Sequence, residues 1–152
     1  MIKAILIDDE PLSREIIKSY LHAFPQIEVV QECNDGFEGV KAIAQQQPDL
    51  IFLDIQMPRI NGFEMLELVE QPPAVIFTTA FDEYAIRAFE TSAIDYLLKP
   101  FSEERFKKAL DKFLEKGVTP SESAQKVAAI TSHATPADRI VVKTGNKVKI
   151  IP

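Results

Sequence analysis

Five short runs rich in Ile, Val, Leu and Phe punctuate the first 116 residues, at 3–7, 27–33, 50–53, 74–78 and 94–98. Between them lie longer stretches whose apolar residues recur at helical spacing. Leu12, Ile16, Ile17, Tyr20 and Leu21 form one such stripe, and Phe106, Ala109, Leu110, Phe113 and Leu114 another. This alternation admits few architectures. Strands joined through helices pair in parallel, and a parallel sheet is covered by helices on both faces. Leu50-Ile51-Phe52-Leu53 has no polar alternation, as expected of a strand buried on both sides.

The predicted architecture is therefore α/β, a doubly wound five-stranded parallel sheet with five helices. Flavodoxin-like strand order is the common five-stranded choice. The first helix is predicted to open at Asp9 with Pro11 in its first turn, and the last at Ser102. Beyond residue 116 the character changes. Residues 117–138 are rich in Ser, Thr, Ala and Pro and read as a linker, with room for a short helix around 125–130. Residues 139–152 return to strand-like sequence on both sides of Gly145-Asn146, which is a hairpin signal. A lone hairpin is marginal in water, so this one is expected to begin a second domain that is cut off.

Charge divides the chain at the same place. Residues 1–116 carry 12 Lys or Arg against 21 Asp or Glu, whereas residues 117–152 carry 5 against 2. An acidic globule lacks the clustered cations that nonspecific phosphate contacts with nucleic acid need. The longest apolar runs fall far short of the roughly 20 residues of a membrane span. A single cysteine, Cys33, cannot pair within the chain, and no leader-like segment opens it. A cytoplasmic setting is the expectation.

In open α/β sheets, ligands bind outside the carboxyl ends of the strands. The first strand ends at Asp8-Asp9, the third at Asp54, the fourth at Thr78-Thr79, and the fifth runs into Lys99-Pro100. Taken singly, each residue has an ordinary explanation as a helix-start acid, a turn residue, a β-branched strand residue or a loop lysine. Together they place three carboxylates, a hydroxyl and an ammonium along one edge. No Gly-rich loop follows the first strand, which argues against a dinucleotide or P-loop site. Crowded carboxylates repel unless a cation joins them, and Mg²⁺ prefers such oxygens with water and phosphate. One carboxylate could then accept a phosphoryl group as an acyl phosphate, helped by Mg²⁺ and Lys99.

Asp8-Asp9, Leu53-Asp54-Ile55-Gln56-Met57-Pro58, Thr79-Ala80 and Lys99-Pro100 closely resemble the receiver domain of two-component response regulators. Four separated motifs occur in order over residues 1–116. The resemblance implies Asp54 as phospho-acceptor from a sensor histidine kinase. It also implies Mg²⁺ held by Asp8, Asp9, Asp54 and the Gln56 backbone carbonyl. Thr79 and Lys99 would contact the phosphoryl group, the Lys99–Pro100 bond would be cis, and Tyr96 would be the switch aromatic. The implied output face comprises the fourth helix, fifth strand and fifth helix, roughly residues 84–116, and would dimerise on activation.

A narrower resemblance covers residues 77–85 and 93–101, which look like receivers attached to LytTR-type DNA-binding domains. Residues 139–152 are similar to the opening hairpin of such a domain. DNA would then be contacted only through the missing remainder. The alternative weighed from the residues is a Mg²⁺-dependent phosphohydrolase on a similar fold. His22 and His133 have no partners at ligand spacing, and Cys33 reads as a small buried hydrophobe.

Overall fold

The computed structural model describes residues 1–84, 87–88, 92–116, 143–144 and 148–150. Its strands are β1 (Ile2–Ile7), β2 (Ile27–Cys33), β3 (Leu50–Asp54), β4 (Ala74–Thr79) and β5 (Asp95–Leu98). They form one parallel sheet in the order β2-β1-β3-β4-β5, so the doubly wound, flavodoxin-like expectation holds. The helices are α1 (Pro11–Tyr20), α2 (Gly36–Gln46), α3 (Gly62–Glu67) and α4 (Glu103–Lys116). Of the expected helix between β4 and β5, only Arg87 and Ala88 are described, and both are helical.

Burial explains the sheet. All five residues of β3 are buried, as are the last four of β1 and the last five of β4. On one face Ile5, Ile7, Ile51, Leu53, Val75 and Phe77 pack against Ala42, Ile43, Phe63 and Met65. An aromatic group built around Phe106 of α4 also holds the core. Phe106 stacks on Phe52 of β3, with centroids 5.5 Å apart, and meets Tyr20 of α1 at 5.4 Å. Such pairs add about 1 kcal/mol each beyond their buried area.

One helix start differs from the sequence expectation. Asp9 lies outside α1; Glu10 occupies the cap position and Pro11 the first turn. Asp8 and Asp9 are thereby left in the turn at the end of β1, not wound into the helix. The Ser102 expectation is met: its hydroxyl accepts from the Arg105 N–H at 3.1 Å, ahead of Glu103.

The chain divides into two compact units, Met1–Glu115 and Lys116–Pro152. Within the second, β6 (Lys143–Thr144) and β7 (Val148–Ile150) pair antiparallel, with Lys143 opposite Ile150. The expected linker, the short helix around 125–130 and the turn at 145–146 lie outside the described residues.

Candidate metal and phosphoryl site

The registers bring the strand ends level. Ile7 pairs with Leu53, Asp54 with Thr78, and Thr79 with Leu98, so Asp8, Asp54, Thr79 and Lys99 fall along one edge. The carboxylates of Asp8, Asp9 and Asp54 each place an oxygen within 4.8 Å of the others. Asp8 and Asp54 are buried at 2% and 4% exposure, while Asp9 is exposed. Hard cations take oxygen donors of this kind. The donor set therefore suits a divalent ion, with one carboxylate open to solvent.

Lys99 brings positive charge to these acids. Its ammonium lies 3.0 Å from Asp8, 3.1 Å from Glu10 and 3.6 Å from Asp54. One cation does not offset the crowd. Burial, then the neighbouring Asp8 charge, push the Asp54 carboxyl up to about 7 despite Lys99. Burial also lifts Asp8 above the usual carboxylate range, against the Glu10 N–H and Lys99. Lys99 moves the opposite way. Burial works against its charge, but Asp54 and Asp8 outweigh that and hold its pKa above the ordinary value.

The turn after Asp54 is fixed by close backbone approach. The Gly62 N–H donates to the Ile55 carbonyl at 2.8 Å. A Cβ on Gly62 would meet the Asp54 carbonyl oxygen at 2.8 Å, so only glycine fits here. Asn61 then caps α3 through a reciprocal pair with Glu64, both bonds 2.9 Å. The turn that begins at Gln56 is thus tied back to Ile55, the residue after Asp54.

On the β4–β5 side, Thr79 is fully buried and its hydroxyl accepts from the Phe81 N–H at 3.2 Å. The Tyr96 hydroxyl donates to the carbonyl of the same Phe81. The Lys99–Pro100 peptide is cis. Of the residues read from the sequence, Asp8, Asp9, Asp54 and Lys99 therefore come together at one edge, with Thr79 level with them at the end of β4, while Tyr96 lies within β5 opposite Phe77. The residue that reading missed is Glu10, which reaches Lys99. Its signal was a third acid in the run, standing where a helix cap belongs, since Glu is not a favoured capping residue.

Residues 4–111 match the family model described as the response regulator receiver domain. The chain belongs to the response regulator receiver family. The receiver is 52% identical over 112 residues to the transcriptional regulatory protein BtsR of Escherichia coli strain K12, covering 72% of this chain and 47% of that protein. An uncharacterized response regulatory protein of Shewanella oneidensis is 38% identical over 154 aligned positions, covering 100% of this chain and 62% of its own length. The chain spans about half the length of the BtsR relatives it matches. Among solved structures, the response regulatory domain of mrkE from Klebsiella pneumoniae superposes with a TM-score of 0.68 at 32% identity, over 75% of this chain and 96% of that one. No helix among the described residues is long and apolar enough to cross a membrane.

Proposed function

We propose that this receiver is switched by phosphorylation of Asp54, and that the phosphoryl group comes from a phosphohistidine on a sensor histidine kinase. A carboxylate oxygen of Asp54 attacks phosphorus, and the phosphorus–nitrogen bond breaks. Its electron pair stays on the imidazole, and Asp54 ends as an acyl phosphate. The observation that carries the reading is the buried Asp54 carboxylate at the end of the central strand, ringed by Asp8, Asp9 and Lys99. Asp8, Asp9, Asp54 and the Gln56 backbone carbonyl would hold Mg²⁺. The bound ion supplies charge neutralisation between the acids and the phosphoryl oxygens. Lys99 and the Thr79 hydroxyl bind the remaining oxygens. Family membership favours this acceptor role over the phosphohydrolase alternative.

Thr79, turning toward the new phosphoryl oxygens, would release its bond to Phe81 and re-set Tyr96. The output face is α4, β5 and the helix before β5, and the active form is a homodimer through that face. Several of its charges are already committed within the chain: Arg105 grips Asp95 through two bonds of 2.7 and 2.8 Å, and Lys112 stands 3.3 Å from the same carboxylate. Arg87 lies over the Phe63 ring at 4.3 Å. Self-complementary contacts therefore fall to groups such as Lys107, Lys108 and Asp111, which are exposed. The full-length output is transcription control through a LytTR-type domain, to which residues 139–152 belong. DNA is contacted by the rest of that domain, and the protein works in the cytoplasm.

Intact mass after acetyl phosphate and Mg²⁺ tests the acceptor. One phosphoryl adduct is expected in the native chain and none in Asp54→Ala; an undiminished adduct in the variant overturns the assignment. Metal titration tests the ligands. Asp9→Ala should weaken Mg²⁺ binding at least about tenfold, because a hard ion responds to lost carboxylate charge, and Thr79→Ala should weaken it less than about twofold. Equal losses would rule out this division of roles.

A further inference from the structure

Glu10 stands at the cap position of α1, with extended backbone (φ −103°, ψ 112°), yet its side chain makes no cap hydrogen bond. A side chain that leaves the cap has another partner, and here it is 89 positions away. The Glu10 carboxylate accepts from Lys99 Nζ at 3.1 Å and from the Ser13 hydroxyl at 3.0 Å. Its own N–H donates to Asp8 Oδ1 at 2.9 Å, which fixes the turn that aims it. Lys99 has three ammonium protons and faces three carboxylates. Two of these belong to the acid cluster, and Glu10 alone stands at the outer rim, with a side chain 62% exposed against 3% for Asp8 and 5% for Asp54.

We propose that Glu10 is a positioning residue that forgoes the helix cap to hold Lys99 at the mouth of the site. This rests on the acceptor role of Asp54 argued above. The geometry gives the reason. With Glu10 sharing the ammonium, Lys99 hydrogen-bonds to Asp8 and stands 3.6 Å from Asp54, outside direct hydrogen-bond distance. Without Glu10, the ammonium settles between Asp8 and Asp54. It then covers the oxygen that must attack phosphorus and competes for the oxygens a cation needs. The outer tether keeps the nucleophile open and the ammonium ready for the incoming phosphoryl oxygens.

Three substitutions separate tethering from charge. Glu10→Gln removes the charge and keeps an acceptor of the same reach. Glu10→Asp keeps the charge, loses the reach and restores a favoured cap residue. The readout is the initial rate of adduct formation with acetyl phosphate at saturating Mg²⁺, by intact mass, alongside thermal unfolding without metal. Glu10→Asp and Glu10→Ala should react about fivefold more slowly than the native chain, the net scale of one solvent-exposed hydrogen bond. Glu10→Gln should stay within about twofold, and Glu10→Asp should melt higher than the native chain. A more stable variant that reacts more slowly cannot be explained by damaged folding. The proposal is overturned if Glu10→Asp keeps the native rate, if Glu10→Gln is as slow as Glu10→Ala, or if Glu10→Asp gains no stability. No adduct in the native chain would instead defeat the acceptor role itself.

Discussion

Asp54 and Asp95 lie at the ends of strands in the same sheet, and their carboxylates are almost equally hidden, at 5% and 7% exposure. Their surroundings drive them in opposite directions. Asp95 accepts two bonds from the Arg105 guanidinium and one of 2.8 Å from the Tyr96 N–H, with Lys112 at 3.3 Å. Burial raises its pKa, but these donors outweigh burial and hold it below the usual carboxylate range. Asp54 meets two other acids and one lysine at 3.6 Å, and is pushed up to about 7. Asp95 is a completed joint between β5 and α4. Asp54 carries an electrostatic deficit in the folded state, which a cation or a phosphoryl group with its cation can relieve.

Breaking the completed joint should have the largest effect. Arg105→Ala leaves a buried carboxylate with only part of its compensation and should destabilise the chain by about 3 kcal/mol. Denaturant unfolding at neutral pH measures it. The sign with pH follows from the direction of the shift. A depressed folded pKa gives stability that is present above the unfolded value and lost as pH falls through the folded one. The stability gap between the native chain and Arg105→Ala should therefore be full at neutral pH and shrink as pH falls below the usual carboxylate range. A variant that loses less than about 0.5 kcal/mol would reduce the pair to an ordinary surface contact.

The opposite deficit predicts a gain. In metal-free protein, Asp54→Asn removes one of the crowded charges and should stabilise the fold by on the order of 2 kcal/mol at pH 8. Because the folded pKa of Asp54 is raised, native stability falls as pH rises from the ordinary carboxylate range to about 7. The advantage of Asp54→Asn should shrink toward zero as pH is lowered to about 4, where the native carboxyl is protonated in the fold. An Asp54→Asn chain no more stable than the native one at pH 8 would mean that the deficit is already compensated.

The strands were legible in the sequence because a sheet buried on both faces demands unbroken apolar runs such as 50–53. Asp8, Asp9, Asp54, Thr79 and Lys99 were legible because parallel topology puts all strand ends on one edge, so position in the chain implied position in space. The motifs of the receiver family added roles to those positions. The start of α1 was misplaced because Asp9 resembles a cap residue and Glu10 does not, yet Glu10 is the one that stands at the cap position. Asp95 lies in the strand-like run 94–98 and Arg105 beside the apolar stripe of the last helix, so neither position signals the other. Their mutual grip needs a strand residue to meet a helix residue 10 positions away across a turn, which no period reveals. Glu10 and Lys99 were beyond reach for the same reason at greater separation.

Tyr96 joins the two regions, and the smallest predicted effect tests that link. Its backbone belongs to the completed joint: its N–H donates to Asp95, and its carbonyl accepts from Arg105 at 3.2 Å. Its hydroxyl belongs to the site side, donating to the carbonyl of Phe81, whose N–H is held by Thr79. A displacement of Thr79 thus reaches a tyrosine whose own backbone is anchored, so the ring and hydroxyl are the parts left to respond. Tyr96→Phe removes only the hydroxyl and should cost about 1 kcal/mol of stability. Beryllofluoride with Mg²⁺ should still speed amide exchange at Phe81, whose N–H loses its bond to Thr79, in Tyr96→Phe. The change it induces over residues 95–116 should fall to about half of the native response, because a ligand shifts a distant element only through contacts that differ between its two states. An undiminished change over 95–116 would show that the hydroxyl carries none of the coupling. Loss of the response at Phe81 as well would place Tyr96 inside the phosphoryl site and not between the two regions.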